Sequence, residues 1–197
     1  MSRSAELTRR TGETDVTVAL ALDDTARQQI TTGVGFFDHM LELLARHGRL
    51  GLGVQVSGDL ETGVHHTVED TGIVLGQALD EALGDRAGIR RYGHAVVPMD
   101  ESRAACAIDI SGRPFCAVTG LDLPAGAIAG FEHEAAEEFF RAVASAARIT
   151  LHLELQAGTN AHHMIEACFK AFARALRVAV SVDPDEAGVP STKGTLT

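Results

Sequence analysis

A five-residue unit occurs twice in this chain: His65-His66-Thr67-Val68-Glu69 and His162-His163-Met164-Ile165-Glu166. Each copy follows a Gly-containing polar turn and opens an apolar run with helical spacing. Neighbouring helix residues point about 100° apart, so the two histidines of a pair do not easily serve one metal ion. Each histidine lies three or four residues from the glutamate and can share a face with it. A single His-His pair is more often a helix cap or a surface pair than a ligand set. Two copies of His-His-x-x-Glu in the same context point to a metal site, and the divergence of the paired imidazoles points to two metals.

The repeat extends beyond this unit. Glu13-Thr14 matches Glu101-Ser102, and Leu20-Ala21-Leu22 matches Ile108-Asp109-Ile110, both at an offset of 88. Gly51-Leu52-Gly53-Val54-Gln55-Val56 matches Thr150-Leu151-His152-Leu153-Glu154-Leu155 at 99, and His65 matches His162 at 97. The offset grows from 88 to 99, a net insertion of 11 residues before the first helix of the second copy. The step back to 97 shortens the turn before His162 by two residues. Such self-similarity makes each copy one structural unit.

Within the first copy, residues 14–23 alternate (Val16, Val18, Leu20, Leu22) and read as a strand, and residues 27–32 return as the second strand of a hairpin. A Gly33-to-Met40 lead enters a helix running to His47, with Gly48 as its stop. Residues 51–57 alternate again, and a helix spans 65–83. Each half therefore reads strand, strand, helix, strand, helix, with helices packed on one face of each sheet. This is an α+β duplication: 1–93 forms the first half and 94–197 the second, together one compact protein, joined through the Gly-bearing connection at 84–93. Residues 112–130 carry the insertion and show no assignable pattern. The tail Val189-Pro190-Ser191-Thr192-Lys193-Gly194 is short, polar and cationic, and read alone is a frayed end.

Composition removes several function classes. Lys plus Arg total 17 against 27 Asp plus Glu, and a net charge of −10 argues against non-specific nucleic-acid binding. It does not exclude a small anion, because a few converging cations decide a pocket. Apolar runs are broken by charges before membrane-spanning length, and residues 1–10 lack the apolar core of a secretory signal, so a cytoplasmic protein with no membrane partner is expected. Cys106, Cys116 and Cys168 are odd in number and widely spaced, which suits free thiols. No Cys-x-x-Cys pattern supports a thiolate zinc ribbon. His39, on the Phe36-Phe37-Asp38-His39-Met40 stretch, is a natural third imidazole. Imidazole with carboxylate suits Mn²⁺, Fe²⁺ or Zn²⁺, and carboxylates in both clusters tilt the choice toward Mn²⁺.

These residues carry a resemblance. Phe37-Asp38-His39-Met40, His47-Gly48, His65-His66-x-x-Glu69-Asp70, Pro98-Met99-Asp100-Glu101, Asp109-x-Ser111-Gly112-Arg113-Pro114, His162-His163-x-x-Glu166, Phe169-Lys170-Ala171 and Pro190-Ser191-x-Lys193-Gly194 follow one another over nearly the whole chain. In that order they resemble the imidazoleglycerol-phosphate dehydratases.

The resemblance implies dehydration of D-erythro-imidazole glycerol phosphate to imidazole acetol phosphate in histidine biosynthesis. It further implies two Mn²⁺ per active site, with sites formed between subunits of a 24-subunit shell. It makes His39, His65, His66, Glu69, His162, His163 and Glu166 metal ligands, and puts Arg91, Arg113, Lys170, Ser191 and Lys193 at substrate or phosphate positions. Glu13, Glu166 and His47 are the catalytic candidates, Glu166 being a candidate both as ligand and as base. One departure stands out. His39 corresponds to position 138 at the offset of 99, where the family usually has His within Glu-His-Phe-Phe; this chain has Glu137-Glu138-Phe139-Phe140. Glu138 is still an acceptable ligand, and it is preferred to His133, which lies more than one helical turn away on another face. The competing readings are a two-metal hydrolase of a small phosphorylated substrate and a non-catalytic metal-binding shell protein.

Overall fold

The computed structural model describes residues 3–26 and 29–196. Its first half runs β1 (Ser4–Arg10), β2 (Thr14–Ala21), β3 (Ile30–Thr31), α1 (Gly35–Gly48), β4 (Gly51–Gly58), a 3-10 turn (Leu60–Thr62) and α2 (His65–Leu83). Its second half runs β5 (Tyr92–Met99), β6 (Ser102–Asp109), β7 (Phe115–Thr119), β8 (Ala127–Ile128), β9 (Phe131–Glu132), α3 (Ala135–Ala146), β10 (Thr150–Ala157) and α4 (Ala161–Val180). The sheets have orders β1-β2-β4-β3 and β5-β6-β10-β7, the same path drawn twice. The α+β duplication expected from the sequence is therefore present; each four-stranded sheet carries one strand more than expected, and the second half adds the two-stranded β8-β9 sheet.

That extra strand is β1. Its sequence lacks a full apolar alternation because it lies at a sheet edge: Ala5 alone is buried, and polar side chains occupy the rest. The first hairpin is consequently β1–β2, closed at Thr11, whose hydroxyl accepts from the backbone N–H of Glu13 and Thr14. It is not the β2–β3 hairpin that the alternation suggested. β3 pairs parallel to β4 on the far side of the sheet, so the segment after β2 crosses over rather than turning back. Of the strand expected at 27–32, Arg27 and Gln28 lie outside the described residues.

The helices keep the repeat register side chain by side chain. α1 buries Phe36, Phe37, Met40, Leu41, Leu44 and Ala45, and at an offset of 99 α3 buries Ala135, Ala136, Phe139, Phe140, Val143 and Ala144. The residues that follow the two helices, Arg49 and Arg148, both adopt positive φ (54° and 53°) at the same offset. The left-handed stop of α1 is thus Arg49, not the expected Gly48. Gly48 is crowded for a different reason: a Cβ there would lie 3.1 Å from the Leu50 side chain, which would have to give way. α1 packs on α4, and α2 on α3, so each half lends one helix to each pair. At Gly76 a Cβ would lie 2.7 Å from both Ala146 Cβ and the Val143 carbonyl, which is why α2 and α3 approach so closely. α2 covers the first sheet and α4 the second.

The inserted residues form the β8–β9 hairpin and its loop. Phe131 on β9 is fully buried, its ring 5.4 Å from Phe36 and 5.8 Å from Phe37, so the insertion plugs the core beside the start of α1. Truncation by Phe131→Ala is expected to cost about 3–5 kcal/mol, read as a lower denaturant midpoint; a loss under about 1 kcal/mol would show that the hairpin is only apposed. The three cysteines are free, and burial pushes the thiol of Cys116 up to about 11 and that of Cys168 to about 12. Among the described residues no helix is long and apolar enough to cross a membrane. Because β5 is the counterpart of β1 at an offset of 88, we propose that the junction between halves is 84–91, ending just before the expected boundary at 93.

Candidate metal centre

α4 begins at Asn160, whose side-chain oxygen accepts from the backbone N–H of His162 (2.9 Å) and His163 (3.3 Å). This cap fixes the first turn and with it the two imidazoles. His162 Nε2 lies 3.0 Å from Glu166 Oε2, one turn on, and His39 Nε2 reaches the same oxygen from α1 at 3.7 Å. The edge of the Phe36 ring sits against His162, centroids 5.0 Å apart, and limits its rotation. Donor atoms of His39, His162 and Glu166 all lie within 4.8 Å of one another, a set that fits a divalent ion accepting nitrogen and oxygen ligands.

Glu166 is buried at 5% exposure, and burial alone would raise its pKa. The Lys170 ammonium, 2.6 Å from Glu166 Oε1, together with His162, outweighs burial and holds the carboxyl below its ordinary value. Lys170 Nζ is also 3.3 Å from Met99 Sδ. His47 stands eight residues beyond His39 on α1, and its pKa is lowered by burial and then by Lys170, Arg174 and Arg46, which keeps the imidazole neutral.

The equivalent group in the other half is more open. His65 Nε2 lies 3.8 Å from Glu69 Oε2 on α2, and both side chains are about half exposed. Position 73, the counterpart of Lys170, is Ile73, so Glu69 lacks the cation that accompanies Glu166. Glu138 occupies the position on α3 that His39 occupies on α1, partly exposed, but no third donor closes on His65 and Glu69 among the described residues. His133 is held elsewhere, with Nδ1 donating to the Pro124 carbonyl at 2.9 Å.

The second histidine of each pair diverges, as the helical spacing requires. His66 Nδ1 lies 3.1 Å from Asp59 Oδ2, with Nε2 3.7 Å from Glu13 Oε1. His163 Nδ1 lies 2.8 Å from Glu101 Oε2, with Nε2 3.9 Å from Asp100 Oδ2. Hydrogen bonds to Asp59 and to Glu101 raise the pKa of His66 and His163 respectively. An imidazole held at Nδ1 by a carboxylate presents Nε2 outward, the arrangement that orients metal-ligating histidines. Asp59 and Glu101 were not among the sequence candidates, although the match of Glu101 to Glu13 at an offset of 88 pointed to it. Asp59→Ala is expected to weaken metal binding about 10- to 100-fold, measured by metal titration; unchanged affinity would remove His66 from the ligand set.

The cations expected to meet a phosphate divide between two places. Arg91 Nε and Nη2 form a fork on Asp109 at 2.7 and 3.1 Å, and Nη1 donates to the Pro190 carbonyl at 2.8 Å. The tail is therefore docked, not frayed. Ser191 Oγ accepts from Lys193 N–H at 3.2 Å, and Leu196 is buried with its carbonyl bonded to Arg86. Gly112 lies against that same carbonyl, so exposed Arg113 stands beside the tail. Arg91, Arg113, Ser191 and Lys193 thus gather near the C-terminal end of α4, where Arg91 N–H donates to the Ala179 carbonyl. Lys170 alone is near the histidines. At 1.5 Å per residue, His163 near the start of α4 and Ala179 near its end stand about 24 Å apart.

Comparison with known proteins gives the chain its family. The sequence profile of the imidazoleglycerol-phosphate dehydratase family matches residues 32–176. Imidazoleglycerol-phosphate dehydratases of Jannaschia sp. (strain CCS1) and Symbiobacterium thermophilum are 54% and 56% identical to this chain, each aligned over 98% of it and over 100% and 93% of their own length. The crystal structure of imidazoleglycerol-phosphate dehydratase from Staphylococcus aureus subsp. aureus N315 is similar with a TM-score of 0.83 at 41% identity, over 91% of this chain and 99% of that one. The structure of IGPD from Pyrococcus furiosus in complex with (S)-C348 gives 0.80 at 35% identity, over 96% of this chain and 100% of that one. With the repeat, the two His-His-x-x-Glu units and these full-length matches in agreement, the chain belongs to the imidazoleglycerol-phosphate dehydratase family.

Proposed function

We propose that the protein is a cytoplasmic, Mn²⁺-dependent hydro-lyase that converts D-erythro-imidazole glycerol phosphate into imidazole acetol phosphate in histidine biosynthesis. Beside family membership, the observation that carries this reading is the convergence of His39, His162 and Glu166 from two helices. A hydrolase of a small phosphorylated substrate would use a similar donor set, but family membership and the cations around the docked tail favour the dehydratase.

In this reading His39, His162 and Glu166 hold one ion, and His65, Glu69 and Glu138 belong to the second. The outward Nε2 atoms of His66 and His163 are offered across a subunit boundary. Bound metal supplies Lewis-acid stabilisation for the negative charge that the substrate's imidazole takes up. Such help is needed because the carbon that loses its proton has no neighbouring carbonyl.

Glu166 is engaged by Lys170 and His162, which suits a ligand. Glu13, half exposed beside His66, has no comparable engagement and is the better proton acceptor. Neutral His47 is available to accept a hydrogen bond from a substrate hydroxyl. Loss of the proton and of hydroxide as water leaves an enol, which becomes the acetol ketone. Arg113, Ser191 and Lys193 meet the phosphate, while Arg91, spent on Asp109 and Pro190, positions the tail.

The separation along α4 is what supports a site shared between chains. A small substrate cannot touch the histidines and the tail cations of one chain across about 24 Å, so a second chain must supply one set, as in the 24-subunit shell of this reading. Incubation with the substrate and Mn²⁺ tests the activity, and acetol product is expected. A chelated sample is expected to be inactive and smaller, because metal that bridges chains is linked to assembly. No product with Mn²⁺, or unchanged particle size after chelation, contradicts the respective part.

A further inference from the structure

The two halves use one hydroxyl differently. In the second half Ser102 Oγ donates to Glu101 Oε1 at 3.1 Å, and the backbone N–H groups of Thr159 and Asn160 donate to the same oxygen at 3.2 and 2.8 Å. Glu101 Oε2 meanwhile holds His163, so both oxygens of that carboxylate are engaged. The matching residues of the first half, 88 earlier, are Thr14 and Glu13. Thr14 Oγ1 donates not to Glu13 but to Asp70 Oδ2, and His66 takes its Nδ1 partner from Asp59. The Glu13 carboxylate is left, among the described residues, with no hydrogen bond; His66 Nε2 at 3.7 Å is its ion-pair neighbour.

What diverts the hydroxyl is a carboxylate that the second half lacks. Asp70 follows Glu69 on α2 and is only 6% exposed, and Arg9 Nη1 of β1 pairs with its Oδ1 at 2.5 Å. The counterparts of Asp70 and Arg9, at offsets of 97 and 88, are Ala167 and Val97. An ion pair thus stands in one half where two apolar residues stand in the other. Stability alone is a poor reason for it, because well-packed apolar residues of similar volume serve as well as a buried ion pair or better. The turn itself is fixed by other bonds: Thr11 Oγ1 accepts from the N–H groups of Glu13 and Thr14, and the Glu13 carbonyl accepts from Asp59 N–H at 3.1 Å. We propose that Asp70 is a positioning residue for the dehydration: by taking the Thr14 hydroxyl, it leaves the Glu13 carboxylate free to accept the substrate's proton. A carboxylate that already accepts hydrogen bonds is a weaker base, which is the condition of Glu101 and not of Glu13. This inference rests on the reading of Glu13 as proton acceptor in the preceding section.

Steady-state kinetics with imidazole glycerol phosphate and Mn²⁺ test it, with metal content and melting temperature measured on every variant. Arg9→Val combined with Asp70→Ala installs the pair of the second half, leaves no buried charge unpaired, and frees the Thr14 hydroxyl to turn on Glu13 as Ser102 does on Glu101. The expected result is a fall in kcat of at least about tenfold, with KM within about threefold and metal content unchanged. Adding Thr14→Val removes the freed hydroxyl and is expected to bring kcat back to within about threefold of wild type. A merely structural role predicts the opposite, since the triple variant has lost one more polar group at the turn. Thr14→Val alone keeps the ion pair and is expected to hold kcat within about threefold, which tests the proposal even where the double variant does not fold. A wild-type kcat in the double variant, a triple variant no faster than the double, or a loss of about tenfold or more in Thr14→Val alone would overturn the role of Asp70. Glu13→Gln tells the two failures apart. It is expected to lose about a hundredfold or more in kcat, and a Glu13→Gln variant as fast as wild type would overturn the reading of Glu13 itself.

Discussion

A Glu166→Gln variant is expected to bind metal at least about a hundredfold more weakly and to lose turnover accordingly. Even outer partners of a ligand are worth about 10- to 100-fold in affinity, and the carboxylate oxygen here is the one that both His162 and His39 approach. The variant keeps the side-chain shape, so a loss of metal is not a loss of fold. Removing the charge also leaves Lys170, largely buried, without its 2.6 Å partner. Glu166→Gln with Lys170→Met is therefore expected to recover stability but not metal. The pH dependence follows from the direction of each shift. Glu166 is held below its ordinary 4.5, so its stabilisation is complete above that value and is lost as pH falls through the depressed one. His66 and His163 are raised above 6.5 by Asp59 and Glu101, so protons compete with metal at their Nε2 atoms to higher pH than at a free imidazole, and metal affinity should climb as pH rises. Titrations of metal binding against pH check both limbs; a flat profile between pH 6 and 8 would take these two histidines out of the ligand set.

The second large effect concerns the tail. Lys193→Ala and Arg113→Ala are each expected to cost about 1.5–3 kcal/mol of substrate binding, roughly tenfold to 150-fold in kcat/KM, with metal content nearly unchanged. Both side chains are exposed beside a docked tail; Arg113 makes a local Nη1 bond to the Ser111 carbonyl at 3.3 Å, not a fork such as Arg91 has on Asp109. Arg91→Ala, by contrast, should release the tail and lower stability as well as affinity. Equal affinity for wild type, Lys193→Ala and Arg113→Ala would mean that the phosphate is held elsewhere.

The duplication was legible because burial follows the same residues twice; the pattern Phe36, Phe37, Met40, Leu41 on α1 returns as Ala135, Ala136, Phe139, Phe140 on α3. The strand at Ser4–Arg10 was not, since an edge strand needs few apolar residues and its pairing partner, not its own pattern, defines it. Divergence of the paired histidines could be read from helix geometry alone. Of their carboxylate partners, Glu101 was signalled only through its match to Glu13, and Asp59 by no pattern, because both approach from other elements. The sequence likewise put Lys170 with Lys193 as phosphate cations, whereas folding brings Lys170 to Glu166 and leaves Lys193 at the other end of α4. Position 138 keeps its repeat register on α3, and its role as a ligand remains the proposal that the offset of 99 first suggested.

Complementation between two inactive variants tests the shared site most directly. Glu166→Gln lacks a metal donor and keeps the tail cations; a Lys193→Ala, Arg113→Ala double variant keeps the donors and lacks the cations. Co-expressed and co-assembled in equal amounts, they are expected to restore activity in about a quarter of the sites, because random mixing pairs an intact donor set with an intact cation set at that frequency across a subunit boundary. Activity no higher than that of the two variants assayed separately would mean that donors and cations come from one chain, and would contradict the account.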